Sequence, residues 1–240
     1  WPSTDPEREI LEEAGFEVII APDSSEATLA KLASDVEAIM FCFAQVTEKV
    51  LESAGNCKIA ARYGIGVDNV DIDKATELGI AVTNVPDYCM DEVTDHALGM
   101  IIALNRRLVP HTKKVTDGGW DDVVLDQPMH RTRGATLGIV GFGRIGRSLA
   151  RKAHGLGMKV LAYDPLIDVG NEIDGVRAVT LDEILTKSDF VSLHVPLLPS
   201  TQNMISAAEL SQMKRGAIIV NCSRGGLIVE DDLANYLASG

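Results

Sequence analysis

The feature that most constrains the fold is a glycine-rich turn directly after an apolar, β-branched run. Residues 136–140 are predicted to form a strand, and the pattern Gly141-Phe-Gly143-Arg-Ile-Gly146 follows at once. In a dinucleotide-binding unit, the first glycine permits a tight turn, the second lets the backbone approach a pyrophosphate, and the third lets helix and strand pack closely. The helix predicted to begin here would present unpaired N–H groups to the phosphates. An ordinary glycine-rich turn is the alternative.

The next apolar run supports the dinucleotide interpretation, because residues 159–163 end in Asp164. Asp164 follows Gly146 at close to the ~20-residue spacing expected of the carboxylate that binds the adenosine ribose. A carboxylate there accepts hydrogen bonds from a ribose diol and repels a 2′-phosphate, so we predict NAD rather than NADP. A strand-end turn residue is the alternative for Asp164. Arg144 could contact the pyrophosphate or be a solvent-exposed cation.

Apolar runs alternate with helical patterns along the chain, which is typical of parallel sheets covered by helices on both faces. We predict one long helix over 91–116, capped by Asp91 and ended by Gly118-Gly119. Placing the domain boundary at the start of this helix gives domains 1–91 and 92–240. The predicted strands are 16–20, 38–43, 58–61 and 80–83 in the first domain, then 136–140, 159–163, 176–179, 190–194 and 217–221 in the second.

Composition narrows the class of protein. The formal net charge of −13 argues against nucleic acid or an anionic membrane as a general partner. No apolar run approaches the ~20 residues of a membrane span. The four cysteines are scattered, which predicts reduced thiols in a cytoplasmic protein, and no metal site is expected.

Two further clusters could hold a small carboxylate. Arg224 follows the strand 217–221, at the sheet end where α/β proteins bind ligands, and a guanidinium can grip a carboxylate with two parallel donors. A structural or surface arginine remains an alternative. The glycine loop 62–71 could form an anion-binding nest from the N–H groups of Ile65 to Val67, or could only cap a helix.

At these residues the chain resembles the D-isomer-specific 2-hydroxyacid dehydrogenase family, in particular its phosphoglycerate dehydrogenase-like group. The resemblance implies an α/β protein of two doubly wound parallel-sheet domains, a flavodoxin-like substrate domain and a Rossmann NAD domain, truncated at both ends. The motifs that carry it are 61–70 (Ala-Arg-Tyr-Gly-Ile-Gly-Val-Asp-Asn-Val), 83–86 (Thr-Asn-Val-Pro), 92–96 (Glu-Val-Thr-Asp-His), 138–146, 194–197 (His-Val-Pro-Leu) with Thr201, and 221–226 (Asn-Cys-Ser-Arg-Gly-Gly).

The resemblance also assigns roles to residues. It makes Arg224 the catalytic arginine and a substrate-binding residue, together with the main-chain amides of Ile65 and Gly66. The glutamate and histidine partners of the arginine are expected beyond Gly240, and His194 is a weaker candidate for the proton donor. The implied cofactor-binding residues are Gly141, Gly143, Arg144, Ile145, Gly146, Asp164, His194, Val195, Pro196, Thr201, Cys222, Ser223 and Thr94.

The implied reaction is hydride transfer between NAD and C2 of a 2-hydroxy or 2-oxo acid such as phosphoglycerate, hydroxypyruvate or glyoxylate. One alternative is an NAD-sensing regulatory module similar to the C-terminal-binding protein corepressors, and another is a homologue that oxidises formate or phosphite. Family members commonly dimerise through the NAD domain. Apolar residues in an irregular segment therefore predict a homodimer here; they are Trp120, Val123, Val124, Leu125 and Met129.

Overall fold

The computed structural model describes residues 3–120, 129 and 131–239. The chain divides between Tyr88 and Cys89 into two compact units, called here the first and second units. This division lies close to the boundary near residue 92 predicted from the start of the long helical pattern. Assignment of the two units to substrate and cofactor remains a prediction.

The first unit is a small parallel sheet with helices between its strands. Its three strands lie in the order β1-β2-β3, with Ala38 opposite Ile59 and Ile59 opposite Ala81. The buried side chains between sheet and helices include Leu51 and Ala60. The elements are α1 (Asp5–Glu13), α2 (Glu26–Ala33), β1 (Ala38–Phe41), α3 (Glu48–Ser53), β2 (Ile59–Arg62), α4 (Ile72–Glu77) and β3 (Ala81–Thr83).

The strand predicted over 16–20 is wrong. These residues pair with no strand in the described part of the unit, and Phe16, Ile19 and Ile20 are each about half exposed, at 52%, 55% and 52%. An apolar run indicates a tendency to be buried, but a strand also needs a neighbour that supplies its hydrogen bonds. The described residues therefore form three strands here rather than four.

The second unit is a larger, doubly wound sheet. Its strands lie in the order β6-β7-β5-β4-β8-β9, all parallel except β6, which is antiparallel to β7. The five predicted strands are present, and β6 is an additional short one. The elements are α5 (Met90–Asn105), α6 (Leu108–Thr116), β4 (Thr136–Val140), α7 (Arg144–Gly155), β5 (Lys159–Tyr163), β6 (Glu172–Ile173), β7 (Val176–Ala178), α8 (Leu181–Lys187), β8 (Phe190–Leu193), α9 (Ala207–Leu210), β9 (Ile218–Asn221) and α10 (Glu230–Ser239).

The single long helix predicted over 91–116 is interrupted. Arg107 adopts a left-handed conformation with φ of 53°, which ends α5 and begins α6. Pro110 explains the break, because a proline in a continuous helix would lack one hydrogen bond and clash with the carbonyl four residues earlier. Asp91 is not the cap either, since Cys89 is the N-cap residue and Asp91 lies in the first turn. Gly118, with φ of 82°, follows the end of α6 as predicted.

The strand order reverses beside β4, because β5 lies on one side of β4 and β8 on the other. The carboxyl ends of β5, β4, β8 and β9 therefore meet along one edge of the sheet, called here the carboxyl edge. Ligands of open α/β sheets bind at such a reversal. None of the described helices is long and apolar enough to cross a membrane.

Candidate functional site

The glycine-rich turn after β4 has the geometry that its sequence predicts. Gly141 has φ of 95°, and a Cβ there would lie 2.7 Å from the carbonyl group of His194. A Cβ on Gly146 would overlap the carbonyl oxygen of Gly141, so only glycine allows α7 to start this close to the strand. A Cβ on Gly143, in contrast, would meet nothing within 4 Å. In this open space above Gly143, a pyrophosphate can approach the main chain closely.

The start of α7 fits a dinucleotide pyrophosphate. Gly143 is the N-cap residue, and no side chain caps the helix. The N–H groups of the first turn, which includes Arg144 and Ile145, therefore face the carboxyl edge with the positive end of the helix dipole. Together with the space above Gly143, this arrangement fits NAD.

Asp164 connects the end of β5 to the glycine turn. Its carboxylate Oδ2 accepts a hydrogen bond from the Phe142 N–H at 2.8 Å, and Oδ1 accepts one from the Leu166 N–H at 2.9 Å. Each carboxylate oxygen keeps a second lone pair, so Asp164 can still accept from ribose hydroxyls. The additional bond to the turn was not predicted, because it joins two residues that only the folded sheet brings together.

The segment after β8 contains the residues predicted to form a wall of the cofactor site, and this role stays a prediction. Nε2 of His194 lies 2.9 Å from Oγ of Ser192, and desolvation lowers the pKa of His194 to about 4. The imidazole is therefore neutral at physiological pH, which makes it a poor proton donor. Thr201 closes the loop that contains Val195 and Pro196, because its hydroxyl donates to the Pro196 carbonyl at 2.6 Å.

Hydrogen bonds shape the turn that carries Arg224. Asn221 at the end of β9 donates to the Arg224 carbonyl at 2.7 Å and accepts from the Ser223 N–H at 2.9 Å. The Ser223 hydroxyl donates to the Leu193 carbonyl of β8 at 3.0 Å, which ties the turn to the neighbouring strand. Burial raises the pKa of the Cys222 thiol in the same turn. Arg224 therefore lies at the same carboxyl edge as the glycine turn. The sequence motif predicts no role for Asn221, although an asparagine at the end of a strand is a typical turn signal.

Thr94 is already engaged within the protein. It is fully buried in α5, donates to the Met90 carbonyl at 2.9 Å and accepts from Nζ of Lys152 at 2.7 Å. A hydrogen bond to Asp95 also raises the pKa of Lys152, which pairs with Asp91 at 3.3 Å as well. These contacts join α5 to α7. The contact between Thr94 and the cofactor remains a prediction.

The glycine loop of the first unit has the features of an anion site. Nε of Arg62 donates to Oδ1 of Asn69 at 3.2 Å, and the guanidinium occupies the space that a Cβ on Gly64 would need. Asn69 in turn donates to the Cys42 and Ala44 carbonyls at 2.9 and 2.8 Å. Within the described residues, the main-chain N–H groups of Ile65, Gly66 and Val67 meet no protein acceptor. Consecutive free N–H groups of this kind bind anions.

Comparisons with known proteins agree with this geometry. The sequence model described as D-isomer specific 2-hydroxyacid dehydrogenase, NAD binding domain, matches residues 98–240. Hydroxypyruvate reductase of Thermotoga maritima is 40% identical over 214 residues, which are 88% of this chain and 68% of the reductase. D-3-phosphoglycerate dehydrogenase of Methanocaldococcus jannaschii is 38% identical over 245 residues, covering 99% of this chain but 46% of that protein.

A solved structure also supports an NAD-binding fold for this chain. The NAD-dependent formate dehydrogenase of Staphylococcus aureus, in complex with NAD, superposes with a TM-score of 0.88 at 32% identity, covering 98% of this chain and 71% of that one. The chain belongs to the D-isomer specific 2-hydroxyacid dehydrogenase family. The predicted family, the α/β class with a Rossmann NAD-binding domain, and the NAD cofactor are confirmed.

Proposed function

We propose that the protein containing this chain transfers a hydride between NAD and C2 of a 2-hydroxy or 2-oxo acid. The observation that carries the proposal is the placement of Arg224 at the carboxyl edge that also holds the glycine turn and Asp164. The relatives named hydroxypyruvate reductase and D-3-phosphoglycerate dehydrogenase support small 2-hydroxy and 2-oxo acids as substrates. The four cysteines are free thiols in the structure, which supports a cytoplasmic location.

The residues of this chain have separate tasks in the proposed reaction. Bound NAD supplies or accepts the hydride. Arg224 would polarise the C2 oxygen and stabilise the negative charge that develops on it. The N–H groups of Ile65 and Gly66 would donate to the substrate carboxylate. His194 would line the cofactor site as a neutral ring, because its pKa of about 4 means that near pH 7 it lacks the acidic second proton of an imidazolium.

An NADH oxidation assay on the full-length protein tests the proposal. Glyoxylate, hydroxypyruvate, pyruvate and 3-phosphohydroxypyruvate cover the expected range of 2-oxo acids. We expect turnover of at least one of them at a rate that saturates with substrate. If NADH binds with micromolar affinity and none of the four acids is reduced, the dehydrogenase proposal fails, and the regulatory interpretation similar to the corepressors is favoured.

Substitution of Asp164 is expected to change cofactor preference. Asp164→Ala removes the ribose acceptor and the acceptor for the Phe142 N–H, so NAD affinity should fall roughly tenfold and discrimination against NADP should shrink. Asp164→Asn keeps one acceptor oxygen and loses the charge, so it should lose less stability than Asp164→Ala. Isothermal titration with NAD and NADP measures both effects. A wild type that prefers NADP, or an unchanged preference in both variants, contradicts the assignment.

We also propose a homodimer formed through the second unit. Trp120 is 79% exposed and Val109 of α6 is 74% exposed, and Leu104, Leu108 and Val115 nearby are also exposed apolar side chains. Val123, Val124 and Leu125, which were predicted to take part, lie outside the described residues, whereas Met129 is half-buried. Such an apolar surface favours self-association, and two-fold dimers are the commonest oligomer.

Light scattering at micromolar concentration should therefore show the mass of two chains. Val109→Asp places a charge in the apolar surface and should shift the equilibrium to monomer. Leu237→Asp is the matched control, since Leu237 is 75% exposed on α10, away from this surface in the sequence. A monomeric wild type would exclude the proposed dimer.

A further inference from the structure

The residues that follow β3 hold the carbonyl groups of the glycine loop in the first unit. Nδ2 of Asn84 donates to the Ile65 carbonyl at 2.8 Å, and the Val85 N–H donates to the Gly64 carbonyl at 3.0 Å. Two adjacent peptide groups of the loop are thus fixed from the same segment, one by a side chain and one by the main chain.

Fixing the directions of these carbonyl groups also fixes the directions of two N–H groups. In a trans peptide the C=O and the following N–H point in opposite directions, and no described peptide bond is cis. The Gly64 carbonyl shares its peptide with the Ile65 N–H, and the Ile65 carbonyl shares its peptide with the Gly66 N–H. Both N–H groups therefore point away from Asn84 and Val85. They are the two donors assigned above to the substrate carboxylate.

The Ile65–Gly66 peptide depends most on such support. Glycine at position 66 has no Cβ to restrict its φ angle, so the peptide could rotate and turn its carbonyl toward the anion. A carbonyl oxygen in that position would repel a carboxylate. The bond from Asn84 selects the orientation in which the Gly66 N–H group points away from Asn84, toward the proposed position of the carboxylate.

We infer that Asn84 is a positioning residue, which orients the Gly66 N–H toward the substrate carboxylate without touching the substrate. This inference rests on the proposed function, because it needs a carboxylate at this loop. Asn84 lies in the motif 83–86, and the motif by itself predicts no role for its side chain. A change at Asn84 should leave the fold intact, since Asn84 is exposed and the bond between Arg62 and Asn69 anchors the loop independently.

Steady-state kinetics of the full-length protein test the inference. Asn84→Ala removes the donor, so KM for glyoxylate should rise roughly fivefold to tenfold, the typical effect of one hydrogen bond, with kcat within twofold. Asn84→Asp, which has the same shape but no donor, should raise KM at least as much. Asn84→Gln keeps an amide donor and should recover part of the loss. Asn56→Ala, at an exposed asparagine of the same unit, is the matched control and should leave KM unchanged.

A spectroscopic readout separates orientation from general loss of structure. Titration with oxamate, an unreactive analogue of a 2-oxo acid, should shift the amide resonances of Ile65 and Gly66 in the wild type. In Asn84→Ala the Gly66 shift should shrink several-fold, while NADH affinity and thermal unfolding stay unchanged. Unchanged KM and unchanged oxamate shifts in the alanine variant would overturn the inference. A wild type that reduces no 2-oxo acid would instead overturn the proposed function, so the two failures are distinguishable.

Discussion

Replacement of Arg224 with lysine should lower kcat/KM for glyoxylate reduction in the full-length protein by roughly 10²–10⁴. Lysine keeps the positive charge, but a single ammonium cannot form the two parallel hydrogen bonds of a guanidinium. The loss should appear mainly in the transition state, where the charge on the C2 oxygen is largest. NADH affinity should change less than twofold, because the glycine turn and Asp164 remain in place.

The matched control for this substitution is Arg215→Lys, since Arg215 is exposed and lies before β9 rather than after it. Its activity should equal that of the wild type. Thermal unfolding of both variants shows whether the turn held by Asn221 is preserved. A kcat/KM for Arg224→Lys within threefold of the wild type would remove Arg224 from the proposed mechanism.

Three alanine substitutions in the region of α7 should have three different outcomes. Gly146→Ala forces a Cβ into the Gly141 carbonyl, so it should lower both the unfolding temperature and NAD affinity, at a cost of about 1–3 kcal/mol or more. Gly143→Ala meets no protein atom within 4 Å, so stability should stay unchanged. NAD affinity should nevertheless fall roughly 10–100-fold, because the added methyl group occupies the space of the pyrophosphate.

Gly155→Ala is the control, since a Cβ at the last residue of α7 also meets nothing within 4 Å and lies far along the helix from the turn. It should leave NAD affinity unchanged. Calorimetric unfolding and titration with NAD on all three variants give the required pairs of values. Equal loss of NAD affinity in Gly143→Ala and Gly155→Ala would contradict the placement of the pyrophosphate.

The strands next to the site were predictable because local sequence determines them. Residues 136–140 and 159–163 have the predicted bounds, since the first apolar run ends in a glycine turn and the second ends in Asp164. The sequence could not show that 16–20 lacks a pairing partner, because pairing depends on segments distant in the chain. Nor did its helical periodicity show the break at Arg107, where the local effect of Pro110 outweighs the apolar pattern.

The site, too, combines features set by local sequence with contacts between distant segments. The glycines and the strand-end carboxylate can be identified by their spacing in the sequence, and this spacing predicted the cofactor. The hydrogen bonds that Phe142 donates to Asp164 and that Asn84 donates to Ile65 join different strand ends or loops. No spacing rule predicts such bonds, because the relative position of the two segments is set only when the sheet forms.

The bond between Asp164 and the Phe142 N–H limits how cofactor preference can be engineered. Replacement of Asp164, the predicted ribose-binding carboxylate, with a small or basic residue would also release the glycine turn. The more promising route keeps a neutral acceptor at 164 and introduces the phosphate-binding cation at a neighbouring exposed position such as Leu166. Selection for NADP use in the laboratory should therefore yield paired substitutions rather than single ones.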